Sequence, residues 1–190
     1  TQALIAAGGP AVPLVAKVVT ESDRKASTRA MFVLRRVASA GDAGARKSAR
    51  GALTALAKSD DPKISRIASE ALQEALTSAI AKLTAAGAHL SWDENRQVRR
   101  INFSSTRVED AHVLPLDDLE PVEIDFRHSH ITDATLARLA GHAQLEVLNL
   151  MSTKVTDAGM KHLAGLKNLR SLSVERTAVT DEGLAELKGL

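Results

Sequence analysis

A mixed α and β solenoid is the fold class this sequence predicts: helical repeats that lead into about four short strand-and-helix units. Two observations carry that expectation. Over the last hundred residues the chain repeats itself at a period of 23 to 24, and over residues 1–76 a weaker similarity recurs at an offset of 38. Self-similarity at such periods is the mark of arrays in which each unit packs only on its neighbours. Composition agrees: 44% of the residues are hydrophobic but only 2% aromatic, so the core must be built of Ala, Leu, Val and Ile. At 190 residues the chain can bury roughly 70% of its unfolded surface.

The first 76 residues read as helices. Pro10 to Val19 is apolar, and Ser22-Asp23 offers an N-cap for a helix from Arg24 to Ala40, where Ala30, Val33, Leu34 and Val37 follow helical spacing. Gly41-Asp42 breaks the chain, with Asp42 placed to cap Ala43 to Lys58, and Asp60-Asp61-Pro62 restarts it with Pro at a first helical position. Val15, Val18, Val19, Asp23, Ala30 and Leu34 fall on Leu53, Leu56, Ala57, Asp61, Ala68 and Leu72 at the offset of 38. Helix, tight Asp-containing turn and second helix at that period resemble HEAT repeats, with an irregular helical bundle as the alternative. Residues 77–97 read as a cap: a separate helix from Ser78 to Ala86 ended by Gly87, then a hairpin turning at Asp93-Glu94-Asn95. Trp92, the only tryptophan, is expected to plug the junction beneath that hairpin.

Residues 98–190 carry the stronger repeat. Leu145, Leu148, Leu150, Thr153, Val155, Thr156, Asp157, Leu163 and Leu166 recur as Leu169, Leu172, Val174, Thr177, Val179, Thr180, Asp181, Leu187 and Leu190. Earlier copies run through Ile124, Phe126, Ser129, Ile131, Thr132, Asp133 and Leu139, and through Ile101, Phe103, Thr106, Val108, Asp110 and Leu116. Two alternating apolar positions suit a short strand with one buried face. Thr132, Thr156 and Thr180 suit helix N-caps, and an Asp after each suits the positive helix end. The string T-x-V-T-D-x-G-[LM], present as Thr153 to Met160 and Thr177 to Leu184, resembles a bacterial variety of the leucine-rich-repeat family. Where that family places a ladder of Asn, this chain has Thr106, Ser129, Thr153 and Thr177, whose hydroxyls can still bond loop backbone groups. The column Asp110, Asp133, Asp157, Asp181 reads as stacked helix starts rather than a calcium ladder, because one carboxylate per unit falls short of six to eight oxygens.

Neither catalysis nor a cofactor is expected. No nucleophile motif, nucleotide fingerprint or phosphate-cradling loop occurs; Gly8-Gly9-Pro10 lacks the Gly-Lys-Ser/Thr ending and reads as a turn. His128 and His130 form an H-x-H pair whose only third ligands would be Asp125 or Asp133, so no metal is expected. His142, at a position Leu166 and Leu190 hold elsewhere, reads as a semi-buried substitution. The absence of cysteine excludes disulfides and leaves the compartment open, with the cytoplasm favoured. No apolar run approaches the roughly 20 residues of a membrane-spanning helix.

Binding is the function the leucine-rich-repeat resemblance implies. Residues flanking the buried strand pairs should form a concave face of three rows: Arg100, Glu123, Val147, Ser171; then Asn102, Asp125, Asn149, Ser173; then Ser104, Arg127, Met151, Glu175. With Val147 and Met151 as an exposed apolar spot, this face suits a protein or peptide. Charge supplies the rival reading. Residues 1–86 carry 13 Lys/Arg against 7 Asp/Glu, whereas residues 87–190 carry 12 against 16. Arg24, Lys25, Arg29, Arg35, Arg36, Arg46, Lys47, Arg50, Lys63 and Arg66 could thus meet phosphates, although that region, with Phe32 as its single aromatic, lacks a platform for stacking successive bases. A regulatory domain of a larger enzyme is the third reading. Thr1 and Leu190 both fall inside repeat pattern, so the ends are expected to be covered by further domains or neighbouring subunits.

Overall fold

The computed structural model describes residues 9–21, 24–40 and 43–189. The expected cap at Ser22-Asp23, the break at Gly41-Asp42, Gly8 of the first turn, and both chain ends at Thr1 and Leu190 lie outside the described residues. The chain divides into two compact units between Ala79 and Ile80.

In the first unit a 3₁₀ turn, Gly9–Ala11, leads into α1 (Val12–Glu21), followed by α2 (Arg24–Ala40), α3 (Ala43–Leu56) and α4 (Pro62–Ala85). Each helix turns one apolar stripe inward. Val12, Val15 and Val19 from α1 meet Leu34 and Val37 from α2, Ala49 and Leu53 from α3, and Ala68 and Ala71 from α4 in one buried cluster. The stripes contain much Ala, which lets helices approach closely but yields little burial per residue. Val18 departs from the expected repeat: it is 37% exposed, whereas its counterpart Leu56 is buried. The α3–α4 turn is built by its polar residues. Asp61 Oδ1 accepts from Lys63 N at 2.8 Å and Ile64 N at 3.4 Å, capping α4 with Pro62 at its first position. The Ser65 hydroxyl donates to Ala57 O at 2.6 Å and ties the two helices together.

No separate helix begins at Ser78, contrary to expectation: α4 continues to Ala85. The Thr77 hydroxyl donates back to Gln73 O at 2.8 Å and so is satisfied within the helix. Gly87 ends it at φ +93°, with Ala88 N donating to Leu83 O and Gly87 N to Thr84 O, both at 3.0 Å. That closure needs a left-handed residue, for which Gly is the favoured choice.

The second unit contains one five-stranded sheet in sequence order, β1 (His89–Trp92), β2 (Val98–Asn102), β3 (Glu123–Asp125), β4 (Val147–Asn149) and β5 (Ser171–Ser173). β1 pairs antiparallel with β2 in a hairpin, and all later pairs are parallel. Short helices α5 (Asp133–Leu139), α6 (Asp157–Met160) and α7 (Asp181–Ala185) recur between and after the strands, while a 3₁₀ helix, Leu114–Asp118, takes the first of these places. Ile101, Ile124 and Leu148 stack behind consecutive strands, each at most 1% exposed. Phe103 and Phe126 follow as a parallel ring pair with centroids 5.3 Å apart. At van der Waals separation an offset pair of this kind is worth about 0.5–1.5 kcal/mol beyond its burial.

The Thr-Asp pairs do more than start helices. Thr132, Thr156 and Thr180 are N-caps, their side chains accepting from Ala134 N, Ala158 N and Glu182 N. Each also donates to the Asp of the preceding unit. Asp110 takes Thr132 N at 2.9 Å and the Thr132 hydroxyl at 2.7 Å. Asp133 takes Thr156 N at 2.8 Å and its hydroxyl at 2.7 Å. Asp157 takes Thr180 N at 2.7 Å and its hydroxyl at 2.8 Å. The Asp column is therefore a chain of clamps between successive units. Asp110 itself stands in a turn rather than at a helix start, which corrects the expectation of four stacked helix starts. Thr106, Thr153 and Thr177 donate to Phe103 O, Leu150 O and Val174 O, the role expected of the hydroxyl ladder. Ser129 is the exception, since its buried hydroxyl has no partner.

Candidate functional site: the exposed face of the sheet

Strand alternation turns Ile101, Ile124 and Leu148 inward, so their neighbours share the opposite face. Parallel register then aligns Arg100, Glu123, Val147 and Ser171 in one row and Asn102, Asp125, Asn149 and Ser173 in the next. The ladder continues past the strands: Ser105 N donates to Arg127 O at 2.7 Å, His128 N to Met151 O at 3.0 Å, and Ser152 N to Glu175 O at 2.9 Å. These bonds hold Arg127, Met151 and Glu175 in a third row.

The second row is largely consumed by the backbone. Asn102 Oδ1 accepts from Ser104 N at 2.7 Å, Asp125 Oδ1 from Arg127 N at 3.0 Å, and Asn149 Oδ1 from Met151 N at 3.1 Å. Such side chains mimic a backbone turn and shape the bend after each strand. One residue beyond the turn's first bend, Ser105, His128 and Ser152 take φ of +60°, +58° and +56°, and Arg176 follows at +54°. Asp125 is only 8% exposed and acts within the fold, whereas Asn102, Asn149 and Ser173 of the same row are half-buried.

The charges on the face are mostly spent on each other. Arg100 Nη2 meets Glu123 Oε2 at 2.7 Å, and Arg127 Nη2 meets Asp125 Oδ2 at 2.7 Å with Nε adding a bond at 2.9 Å. That fork-shaped contact with Asp125 holds the Arg127 guanidinium above its ordinary pKa. Val147 and Met151 are half-buried rather than fully exposed, with Ser173 half-buried and Ser171 and Glu175 exposed beside them. The result is a low-charge strip on β4 and β5 next to internally neutralised ion pairs on β2 and β3.

β1 extends this face, which sequence reasoning missed because it treated the hairpin as a cap. His89 pairs with Asn102 and Ser91 with Arg100, so both share their side of the sheet. The alternation of His89 and Ser91 about Leu90 was the available signal. Trp92 does not plug a junction: it is 52% exposed on the edge strand, after a register shift between Ser91 and Trp92. It stands opposite Val98, beside the turn that closes the hairpin at residues 93–97.

Other candidates resolve differently. His128 and His130 are both exposed, while their supposed third ligands Asp125 and Asp133 are engaged by Arg127 and Thr156. Among the described residues no group of three or more potential ligands could hold a metal ion. His142 is more buried than expected, at 4% exposure, with Nε2 donating to Leu116 O at 3.0 Å and Nδ1 unpartnered. Of the basic residues on the first unit, the side chains of Arg24 and Lys25 lie outside the described residues. Arg29, Arg35, Arg36, Lys47, Lys63 and Arg66 are exposed, and Arg46 and Arg50 half-buried. Among the described residues no helix is long and apolar enough to cross a membrane.

Comparison with curated proteins finds no match to this chain. Comparison with protein families matches residues 143–164 and 165–188, the stretches that carry β4 with α6 and β5 with α7, to the family described as Leucine Rich repeat. Two successive matches at the period of the clamps support a leucine-rich-repeat protein.

Proposed function

We propose that this chain is a non-enzymatic module for protein–protein interaction, with a protein or peptide partner docking on the exposed face of the sheet. In this reading the four long helices are HEAT-like repeats and the strand units a short leucine-rich-repeat solenoid of the bacterial kind, both offering surface rather than a reaction centre. The observation that supports it best is the strip formed by Val147 and Met151 beside Ser171 and Ser173, held in register by parallel pairing. A partner gains little from Arg100 and Arg127, whose charges already have partners. It gains most by covering the apolar strip, where Met adapts its shape to the occupant. Arg29, Lys47 and Lys63 support a second reading, nucleic-acid binding, because they are exposed and make no ion pair among the described residues.

Peptides selected from a random phage library on the full chain would be titrated against wild type and Met151→Asp. The expected loss is about tenfold or more, roughly 1.4 kcal/mol. Equal affinity for both proteins, with unchanged melting, would place the docking surface elsewhere. The second reading predicts instead that a single-stranded polynucleotide binds, with affinity falling steeply between about 50 and 200 mM salt.

A further inference from the structure

We infer that the seam between α2 and α4 is a second, separate docking groove, suited to an acidic amphipathic helix. Two hollows lie along this one seam. The larger, about 540 Å³, is lined from α2 by Thr28 and Met31 and from α4 by Lys63, Ile64 and Ile67, with the end of α1 contributing Thr20. The smaller, about 230 Å³, lies further along both helices between Phe32, Arg35 and Arg36 on one side and Ala71, Glu74 and Ala75 on the other. Both helices therefore run the same way along the groove. From Lys63 to Ala75 the α4 wall spans about 18 Å at 1.5 Å per residue, the length of about three helical turns.

The floor and rim differ in chemistry. Met31 lies buried at the bottom, Ile64 and Ile67 are half-buried on the wall, and Phe32 stands 54% exposed above Ala71 and Ala75. A single exposed Phe next to small Ala side chains leaves a ledge that an apolar side chain can cover. The rim is cationic. Lys63 makes no ion pair among the described residues, and Arg66 reaches Glu70 only at 3.9 Å with its side chain 72% exposed. Arg35 is paired with Glu74, and Asp61 spends its carboxylate on capping α4. Four cations against Asp61 and Glu74 give the lining a positive balance, which an acidic partner complements. Aliphatic floor and sparse rim charges fit an apolar helix face flanked by Glu. They fit a polynucleotide less well, because Phe32 is the one aromatic in the lining and successive bases need successive platforms.

The test uses the full chain and a fluorescein-labelled, amidated helix made of two ELAELLE heptads, with a KLAKLLK version and polyuridylate as comparisons. Saturable binding of the Glu-rich helix is expected, weakened about tenfold or more by Lys63→Glu with Arg66→Glu. Thr28→Trp, an exposed position on the groove wall, should block the same peptide by filling the hollow. Met151→Asp, on the sheet face, should leave this affinity unchanged, so the outcome is independent of the function proposed above. Absence of saturable binding, equal binding of both peptides, or preference for polyuridylate would each overturn the inference. Melting curves that match wild type confirm that the variants report on the groove rather than on folding.

Discussion

Asp133 holds Thr156 with both carboxylate oxygens, one taking the main-chain N–H at 2.8 Å and the other the hydroxyl at 2.7 Å. Since Asp133 opens α5 and Thr156 caps α6, one side chain sets the spacing of two consecutive units. Asp133→Ala should destabilise the second unit by about 2 kcal/mol, the scale of hydrogen bonds to a charged acceptor. Thr156→Val, which loses one clamp bond and the cap, should cost about 1–2 kcal/mol. In urea unfolding the double variant should lose less than the sum of the two, because both remove the same contact. Strict additivity would mean that the residues act separately.

The glycine of the T-D-x-G string is required by the same clamp. A Cβ at Gly159 would lie 2.7 Å from Leu136 Cδ1 and closer still to Asp133 Oδ1. At Gly183 it would come within 2.9 Å of the Asp157 Cα, which cannot move aside as a side chain can. Gly159→Ala should therefore cost about 2–3 kcal/mol in thermal or urea unfolding. Gly165→Ala, with nothing within 4 Å, should stay within about 0.5 kcal/mol of wild type. A comparable loss at both sites would remove the steric explanation.

The clamps make stability sensitive to acid. Burial pushes the Asp110 carboxyl upward, but the Thr135 hydroxyl and the Thr132 N–H and hydroxyl outweigh it, so it titrates below the ordinary 3.8. The Thr180 N–H, then its hydroxyl, lower Asp157 from the same value. A carboxyl whose folded pKa is depressed adds stability above its unfolded pKa and loses it as pH falls through the folded one. The urea midpoint should hold steady from neutrality to about pH 5 and decline below about 4. In Asp110→Asn with Asp157→Asn the midpoint should start lower at neutrality and decline less. An unchanged acid decline would show that other carboxylates carry it.

Much of this architecture is legible in the chain because repetition multiplies weak signals. Leu148 and Leu150 alone do not define a strand, but their counterparts Ile124 with Phe126 and Ile101 with Phe103 do. Thr132, Thr156 and Thr180 announce three caps by spacing, and Pro62 after Asp61 announces α4. What stays hidden is local geometry that residue type does not encode. The left-handed residues Ser105, His128, Ser152 and Arg176 include no Gly or Asn, so nothing in their identity marks the bend. Trp92, expected at the junction, stands half exposed on the edge strand beside the hairpin turn, after a register shift that residue type does not encode. Arg127 looked available until Asp125, two residues earlier, took its guanidinium.

The chain's three methionines allow the direct test of the proposed face. Met151 lies half-buried on the sheet face, Met160 is fully buried in the core, and Met31 lies under the α2–α4 groove. In methyl NMR, adding a peptide selected on the intact protein should move the Met151 signal while Met160 and Met31 stay in place. A bound peptide that leaves Met151 unmoved would contradict docking on the exposed face of the sheet.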